Sequence, residues 1–269
     1  MDARLASLAS WLRCPACGAS LGVLAGLVLS CANGHHHDTN KRGYLTALDS
    51  SKGILGDPRE LLEARAAFLA EGHYQPIAEA VSSTLPTGPL SILDAGTGTG
   101  YYLAQTLADH PGSDALALDA SAAAVALSAA KTRSPGLVAD TWQPLPVRDD
   151  RADVILCVFA PRNAAEFARV LRPGGTLVVV TPRAGHLHEL RAAGLVIGMQ
   201  EDKLERLTSS LEGHFARTNL VELEYTVDLD TTSARNLTTM GPSGHHEATG
   251  AWPGGPVTVG VDVTSWALL

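Results

Sequence analysis

Five short apolar runs recur between residues 90 and 182, with helical patterns between most of them. They are rich in Val, Leu, Ile and Ala, which is typical of strands buried on both faces of a parallel sheet. Strands that alternate with helices predict an α/β fold with a doubly wound, mostly parallel sheet. The runs are LSILDAG (90–96), ALALDAS (115–121), GLVAD (136–140), ADVILCVFAP (152–161) and GTLVVVTP (175–182).

The stretch from Pro58 to Leu85 has apolar residues at helical spacing, with Asp57 as the predicted cap and Pro58 at the first helical position. We expect the helix to break near Gly72 and to resume after Pro76. The predicted apolar face consists of Leu61, Leu62, Ala66, Phe68 and Leu69.

Two further strand candidates lie near the end of the chain, at 220–227 and 257–266. The segment that joins them contains MGPSGHH (240–246), and we expect the two strands to close the sheet as an antiparallel edge hairpin. The pattern predicts three parts: a Cys/His-rich head at 1–40, a linker with a helical segment at 41–89, and a doubly wound domain at 90–269.

The 269 residues include 45% hydrophobic residues, enough to bury a sizeable core. The apolar run 21–29 is far shorter than a membrane-spanning helix, and no signal peptide is evident, so a cytoplasmic location is expected. In a reducing compartment, clustered cysteines favour metal binding over disulfides. The net charge of −8 argues mildly against a strong nonspecific binder of nucleic acid.

The head contains two ligand pairs, a C-x2-C pair and a C-x3-H pair. Each pair curls the backbone around one ion, and three thiolates with one imidazole suit a closed, structural zinc site. The alternative is a set of buried free cysteines beside a surface histidine cluster. His36 and His37 then face solvent or a substrate, and Cys157 is expected to pack in the core. The predicted ligands are Cys14, Cys17, Cys31 and His35.

The turn after the first central strand reads D-x-G-x-G-x-G. Its glycines allow a ligand to approach the backbone at the carboxyl edge of the sheet. A dinucleotide site prefers G-x-G-x-x-G, and an acidic residue before the glycines suits an amino group better than a phosphate. An acidic residue ends the next strand, where it can bind ribose hydroxyls, and another follows the third strand. These residues are Asp94, Gly96, Gly98, Gly100, Asp119 and Asp140.

Together with the LRPGGTL stretch (171–177) before the fifth strand, this order resembles the class I S-adenosylmethionine-dependent methyltransferases over residues 90–182. A phosphate-binding Rossmann domain is the alternative. The resemblance implies that the glycine loop binds the methionine end of the donor and that Asp119 binds its ribose.

The whole chain is similar to the bacterial 23S rRNA guanine-N1 methyltransferases, some of which protect producers of macrolide antibiotics. The similarity is carried by CxNGHxxD (31–38), KxGYL (41–45), the helix EARAAFLAEGHYQP (63–76), FAP (159–161) and MGPS (240–243). It implies zinc in the head, a homodimer, and a ribbon that grips an RNA hairpin whose loop base enters the active site. It also implies that Tyr74, Gly98, Thr99, Asp119 and His186 surround the donor.

Methylation at guanine N1 requires loss of a proton, so a general base is sought. The candidates are His73, His186 and His245 with its neighbour His246, and the sequence does not choose among them. Arg65 and Arg162 are the predicted RNA-binding residues, and Arg172 and Arg183 are further candidates for a phosphate-facing rim. Histidines at such positions also serve as packing or capping residues.

Two other functions stay open at this point. A small-molecule N- or C-methyltransferase on the same scaffold would account for the acidic balance of 28 Asp and Glu against 20 Lys and Arg. A zinc-ribbon RNA-binding module without activity would be expected to have lost the glycine loop, which is intact here.

Overall fold

The computed structural model describes residues 3–48, 56–196, 203–241 and 253–269. In this part of the chain eleven strands form one sheet, in the order β1-β2-β3-β4-β7-β6-β5-β8-β9-β11-β10. The strands are β1 (Leu21–Ala25), β2 (Val28–Cys31), β3 (His36–Asn40), β4 (Tyr44–Thr46), β5 (Ser91–Ala95), β6 (Asp114–Asp119), β7 (Gly136–Val138), β8 (Ala152–Val158), β9 (Leu171–Pro182), β10 (Phe215–Leu229) and β11 (Gly255–Leu268).

Helices pack around this sheet. The helices are α1 (Ala3–Trp11), α2 (Arg59–Ala70), α3 (Gln75–Ser83), α4 (Tyr101–Asp109), α5 (Ala122–Thr132), α6 (Ala164–Val170), α7 (His188–Ala192), α8 (Lys203–Leu211) and α9 (Thr231–Met240).

The middle of the sheet is parallel, as the five apolar runs predict. The pairs β7–β6, β6–β5, β5–β8 and β8–β9 all run parallel, and every residue of β8 is buried. Successive residues of a strand contribute to different apolar clusters, since Leu93 belongs to one cluster and Ile92 to the other. Side chains on a strand alternate between faces, so the sheet has a core on both sides and the predicted α/β class is confirmed.

Sequence expectations are corrected at the starts of three elements, α2, α3 and β9. Pro58 is the N-cap of α2 and not its first helical residue, and no side chain caps this helix. Asp57 instead pairs with Arg65. The second helix begins at Gln75, so that Pro76 lies inside its first turn. The stretch at 171–177 is part of β9 and does not precede it.

The predicted edge hairpin is present and longer than expected. β10 and β11 pair antiparallel from Phe215↔Leu268 to Leu229↔Gly255, and β11 joins the sheet through β9. Helix α9 follows β10, and most of the MGPSGHH segment lies outside the described residues. No helix in the described ranges has the length and apolar character required to cross a membrane.

The head continues the sheet on its other side. β1, β2, β3 and β4 form an antiparallel meander, and β4 pairs parallel with β7. The predicted boundary at residue 40 falls between β3 and β4, and the division into three domains stays a prediction. The carboxyl ends of β5, β6 and β8 meet at one edge, where the glycine loop lies.

Candidate functional site

Four ligand atoms of the head lie together. The Sγ atoms of Cys17 and Cys31 are 3.8 Å apart, and Nδ1 of His35 lies 3.4 Å from Cys31 Sγ and 3.7 Å from Cys14 Sγ. All four ligand atoms are within 4.8 Å of one another. The structure therefore brings together the predicted residues Cys14, Cys17, Cys31 and His35.

These separations fit a tetrahedral zinc ion. With Zn–S near 2.3 Å and Zn–N near 2.0–2.1 Å, the sulfur–sulfur edge of a tetrahedron is about 3.8 Å and the sulfur–nitrogen edge about 3.6 Å. Three thiolates and one imidazole complete four-coordination without an open position, which is typical of structural zinc.

Neighbouring groups support a thiolate at Cys17, whereas burial raises the pKa of Cys14. The backbone N–H of Ala19 and the side-chain amide of Asn33 lower the pKa of Cys17 to about 6, and the Asn33 Nδ2–Sγ distance is 3.3 Å. His37 places Nε2 3.2 Å from Cys14 Sγ. His37 is thus turned toward the cluster and not toward solvent, whereas His36 is exposed.

The second part of the site is the turn between β5 and α4. Gly96, Gly98 and Gly100 have φ angles of 85°, 50° and 71°, a region that side chains disfavour. The N–H of Gly98 donates to Asp119 Oδ2 at 3.0 Å, and the N–H of Ser121 donates to Oδ1 at 2.9 Å. The carboxylate that ends β6 is therefore fixed against the glycine loop, as predicted from its position after the strand.

Asp94 lies wholly buried at the end of β5. Burial raises its pKa to about 7, with Asp119 adding to the increase and a hydrogen bond from Thr97 opposing it. Nearby, the Thr99 hydroxyl is buried without a hydrogen-bond partner among the described residues. A buried carboxyl and an unpartnered hydroxyl beside an open glycine loop fit a ligand that brings a cationic amino group.

A tyrosine and a histidine face each other next to this loop. The Tyr74 hydroxyl lies 3.4 Å from Nε2 of His186, and both residues are buried. The backbone N–H of Gly260 donates to Nδ1 of His186 at 3.3 Å. Because Nδ1 accepts this hydrogen bond, the hydrogen of the neutral ring is assigned to Nε2, which faces the tyrosine hydroxyl.

The loop after β8 completes the edge of the site. A side chain added at Gly96 would overlap Ala160, so this loop packs directly on the glycine turn. The Cys157 thiol donates to the carbonyls of Ala160 and Pro161 from below, and burial raises the pKa of Cys157 to about 12. Cys157 is thus a protonated packing residue, and it also fixes the loop.

Arg65 lies over the glycine loop. Its Nη1 pairs with Asp57 at 2.8 Å, and its Nη2 donates to the Met240 carbonyl at 2.8 Å. A Cβ at Gly98 would be 3.3 Å from the same guanidinium. Arg162 folds back onto its own loop, donating to the Ala160 carbonyl at 3.4 Å. Both predicted RNA-binding arginines are therefore near the glycine loop, which is the predicted binding loop for the methyl donor (the donor loop).

The remaining candidates are dispersed. Arg172 pairs with Asp153 near the amino end of β8, away from the glycine loop, so it is not part of a rim at this edge. Arg183 pairs with Glu222 on the edge hairpin. Asp140 accepts the N–H of Trp142 at 2.9 Å.

The candidate bases differ in position. His73 places Nε2 3.0 Å from the Glu71 carboxylate, and His186 lies inside the site. His245 and His246 lie outside the described residues.

Two residues at the site were missed by the sequence predictions. Asp57 was expected as a helix cap, and its pairing across to Arg65 has no local signal. Phe159 was noted only as part of a motif, although an aromatic residue directly after a fully buried strand is a signal of a functional position.

Comparison with known proteins agrees with this geometry. Residues 93–179 match the family model described as "Methyltransferase domain". The solved structure of geranyl diphosphate methyltransferase in complex with SAM superposes with a TM-score of 0.50 at 17% identity, covering 82% of this chain and 94% of that one. The fold and the donor loop define an S-adenosylmethionine-dependent methyltransferase of class I.

Two curated relatives specify the family. The Streptomyces fradiae 23S rRNA (guanine(748)-N(1))-methyltransferase is 39% identical over 243 residues, which are 88% of this chain and 86% of the relative. A second relative, from Micromonospora griseorubida, has a name that refers to 23S rRNA (guanine-N(1)-)-methyltransferase activity. It is 36% identical over 256 residues, which are 87% of this chain and 87% of the relative. The chain belongs to the family of 23S rRNA (guanine-N1-)-methyltransferases.

Proposed function

We propose that this protein transfers the methyl group of S-adenosylmethionine to N1 of a guanine in a hairpin loop of 23S rRNA. The observation that carries the proposal is the 39% identity over 88% of the chain to a relative named for this reaction. The donor loop and the Cys3His cluster support it, since both are intact in the same chain.

When bound, S-adenosylmethionine supplies a methyl group activated by the sulfonium charge. Asp94 would accept the donor's amino group, and this cation would offset the burial of the carboxylate. Asp119 would accept the ribose hydroxyls, because two backbone N–H groups already hold it in place. The chain's main contribution is then to hold the donor and the guanine nitrogen in line.

The N1 proton of guanine must leave during the reaction. His186 is poorly suited to accept it, because Nδ1 is engaged by Gly260 and Nε2 carries the hydrogen that faces Tyr74. We assign His186 the role of a positioning residue for the donor pocket. His73, paired with Glu71, and His245 remain the candidate bases.

The zinc head would act on the RNA and not on the methyl group. Its four ligands form a closed set, so it offers no open coordination position for chemistry. We infer that the head, which joins the central strands where β4 pairs with β7, presents the hairpin to the donor site. Because the net charge is −8, we expect the protein to recognise the RNA mainly by its shape and through a few positively charged side chains near the site.

Transfer of a labelled methyl group tests the proposal. The zinc-loaded protein is incubated with labelled S-adenosylmethionine and either a 23S rRNA hairpin fragment or a metabolite extract, with the variant Asp94→Asn as a control for the donor site. We expect label in the hairpin with the native chain and at least a tenfold lower rate with the variant. Label in a small product and none in RNA would refute the proposed substrate.

The family includes a relative from a Streptomyces species, and we further infer a contribution to macrolide resistance. Expression in a susceptible host that lacks this methylation is expected to raise the inhibitory concentration of a macrolide. An unchanged concentration, with the guanine fully methylated, would separate the enzyme activity from resistance.

A further inference from the structure

Phe159 is an exposed aromatic residue at the edge of the donor site. Its side chain is 42% exposed, although it follows β8, in which every residue is buried. A large apolar ring left open to water at the carboxyl end of a central strand loses the free energy that burial would provide. The position therefore requires another explanation than core packing.

The backbone of Phe159 is held in an unfavourable conformation. Its φ of 52° lies in the left-handed region, which is unfavourable for a residue with a Cβ. Its N–H donates to the Val180 carbonyl, and Cys157 and Arg162 bind the carbonyl of Ala160 that follows. The turn is fixed on both sides, and its result is to direct the ring outward.

The ring has aromatic neighbours that belong to the donor site. It is stacked on His186, with 6.3 Å between ring centroids and 23° between planes, and its centroid is 6.3 Å from that of Tyr74. The next residue, Ala160, packs on Gly96 of the donor loop. One face of Phe159 is thus supported beside the donor loop while part of the ring stays exposed.

We propose that Phe159 is the ring on which the target guanine stacks when methyl transfer takes place. This inference rests on the proposed function and names the group that recognises the base. A flat, rigid, exposed ring next to the donor loop matches the π-face of an extruded base, and such stacking lowers the cost of holding it out of the hairpin.

The test compares Phe159→Leu with Phe159→Tyr in the full-length, zinc-loaded protein. Both replacements keep a Cβ in the same strained conformation, so they should fold equally well, and thermal melting checks this. Three quantities are measured: KM and kcat for the hairpin, Kd for S-adenosylmethionine by calorimetry, and the fluorescence of a hairpin with 2-aminopurine at the target position. Stacking quenches this fluorophore.

We expect the leucine variant to raise the hairpin KM by about tenfold to a hundredfold, the range of an aromatic–base stack. Donor Kd should change by less than about threefold, far below the effect on the hairpin. Quenching should occur with the native chain and the tyrosine variant and be lost with the leucine variant.

If the native chain is active on RNA and the leucine variant keeps the native KM and the native quenching, the assignment of Phe159 is wrong. The proposed function is not affected by that result. A loss of donor affinity as large as the change in KM would also overturn the assignment, by placing the ring in the donor pocket. If the native chain transfers no methyl to RNA, the proposed function itself fails and the stacking role fails with it.

Discussion

Replacing Asp94 with asparagine tests two effects of this carboxylate: the loss of folding stability caused by its burial and its contribution to donor binding. The side chain is wholly buried at the end of β5, and its pKa is raised to about 7 by burial. Asparagine has nearly the same shape and no charge. We therefore expect Asp94→Asn to stabilise the donor-free protein at alkaline pH and to weaken donor binding.

The pKa sets the magnitude of the stability change. A rise from 3.8 to about 7 corresponds to roughly 4 kcal/mol against the ionised form, because a tenfold change in proton affinity is worth about 1.4 kcal/mol. The folded chain holds the proton between these two values, where the unfolded chain has lost it. Stability due to this group is thus complete below pH 3.8 and falls as pH rises to about 7.

The assay is urea unfolding of both proteins at several pH values, with zinc present and the donor absent. Relative to the native chain, the variant should gain little at pH 4 and up to about 4 kcal/mol at pH 8. Calorimetry should show a loss of donor affinity of roughly tenfold to a hundredfold, as expected for removal of a hydrogen bond to a charged group. Native affinity should rise with pH through about 7, and the variant should lack this rise.

Two results would refute this reasoning. If the variant is less stable than the native chain at pH 8, the carboxylate already has a favourable partner in the donor-free protein. If both proteins lose stability equally as pH rises, another group titrates, and Asp94 does not carry the burial cost. Unchanged donor affinity would remove it from the donor site.

Three further predictions follow from the same structure. Cys31→Ser should release zinc, seen in metal content by mass spectrometry, and lower Tm, whereas an unchanged zinc content would show that Cys31 is not a ligand. Gly100→Ala should cost about 2–4 kcal/mol in urea unfolding, because φ is 71° and the new methyl would overlap Ser128, and a smaller loss would mean that the turn can shift. His186→Gln should raise the donor KM about tenfold, the effect of one lost hydrogen bond, and leave the acid limb of the kcat profile in place; loss of that limb would identify His186 as the base.

The parallel sheet and the zinc ligands were predictable because their signals are local. Apolar runs of five to ten residues indicate strands buried on both faces, and the ligand spacing in C-x2-C and C-x3-H indicates one ion. His37 shows the limit of this reasoning. Side chains alternate along β3, so His36 faces solvent and His37 faces Cys14. A shift of one residue in the register of this strand would exchange the two directions, and the sequence of three histidines does not fix the register.

The pairings that shape the donor site were not predictable. Arg65 and Asp57 are close in sequence, yet their position over Gly98 depends on how α2 packs against the donor loop. The outward direction of Phe159 depends on a φ angle held by the hydrogen bonds of Cys157 and of the neighbouring strand, and the sequence does not report this angle. Long-range packing decides both.

The proposed reaction is methylation of N1 of a guanine in 23S rRNA. The most direct measurement is mass spectrometry of nucleosides from the hairpin after incubation with S-adenosylmethionine, with Asp94→Asn as the control. We expect 1-methylguanosine in the native reaction and little or none with the variant. Absence of 1-methylguanosine, or a methyl group on another nucleoside, would contradict it.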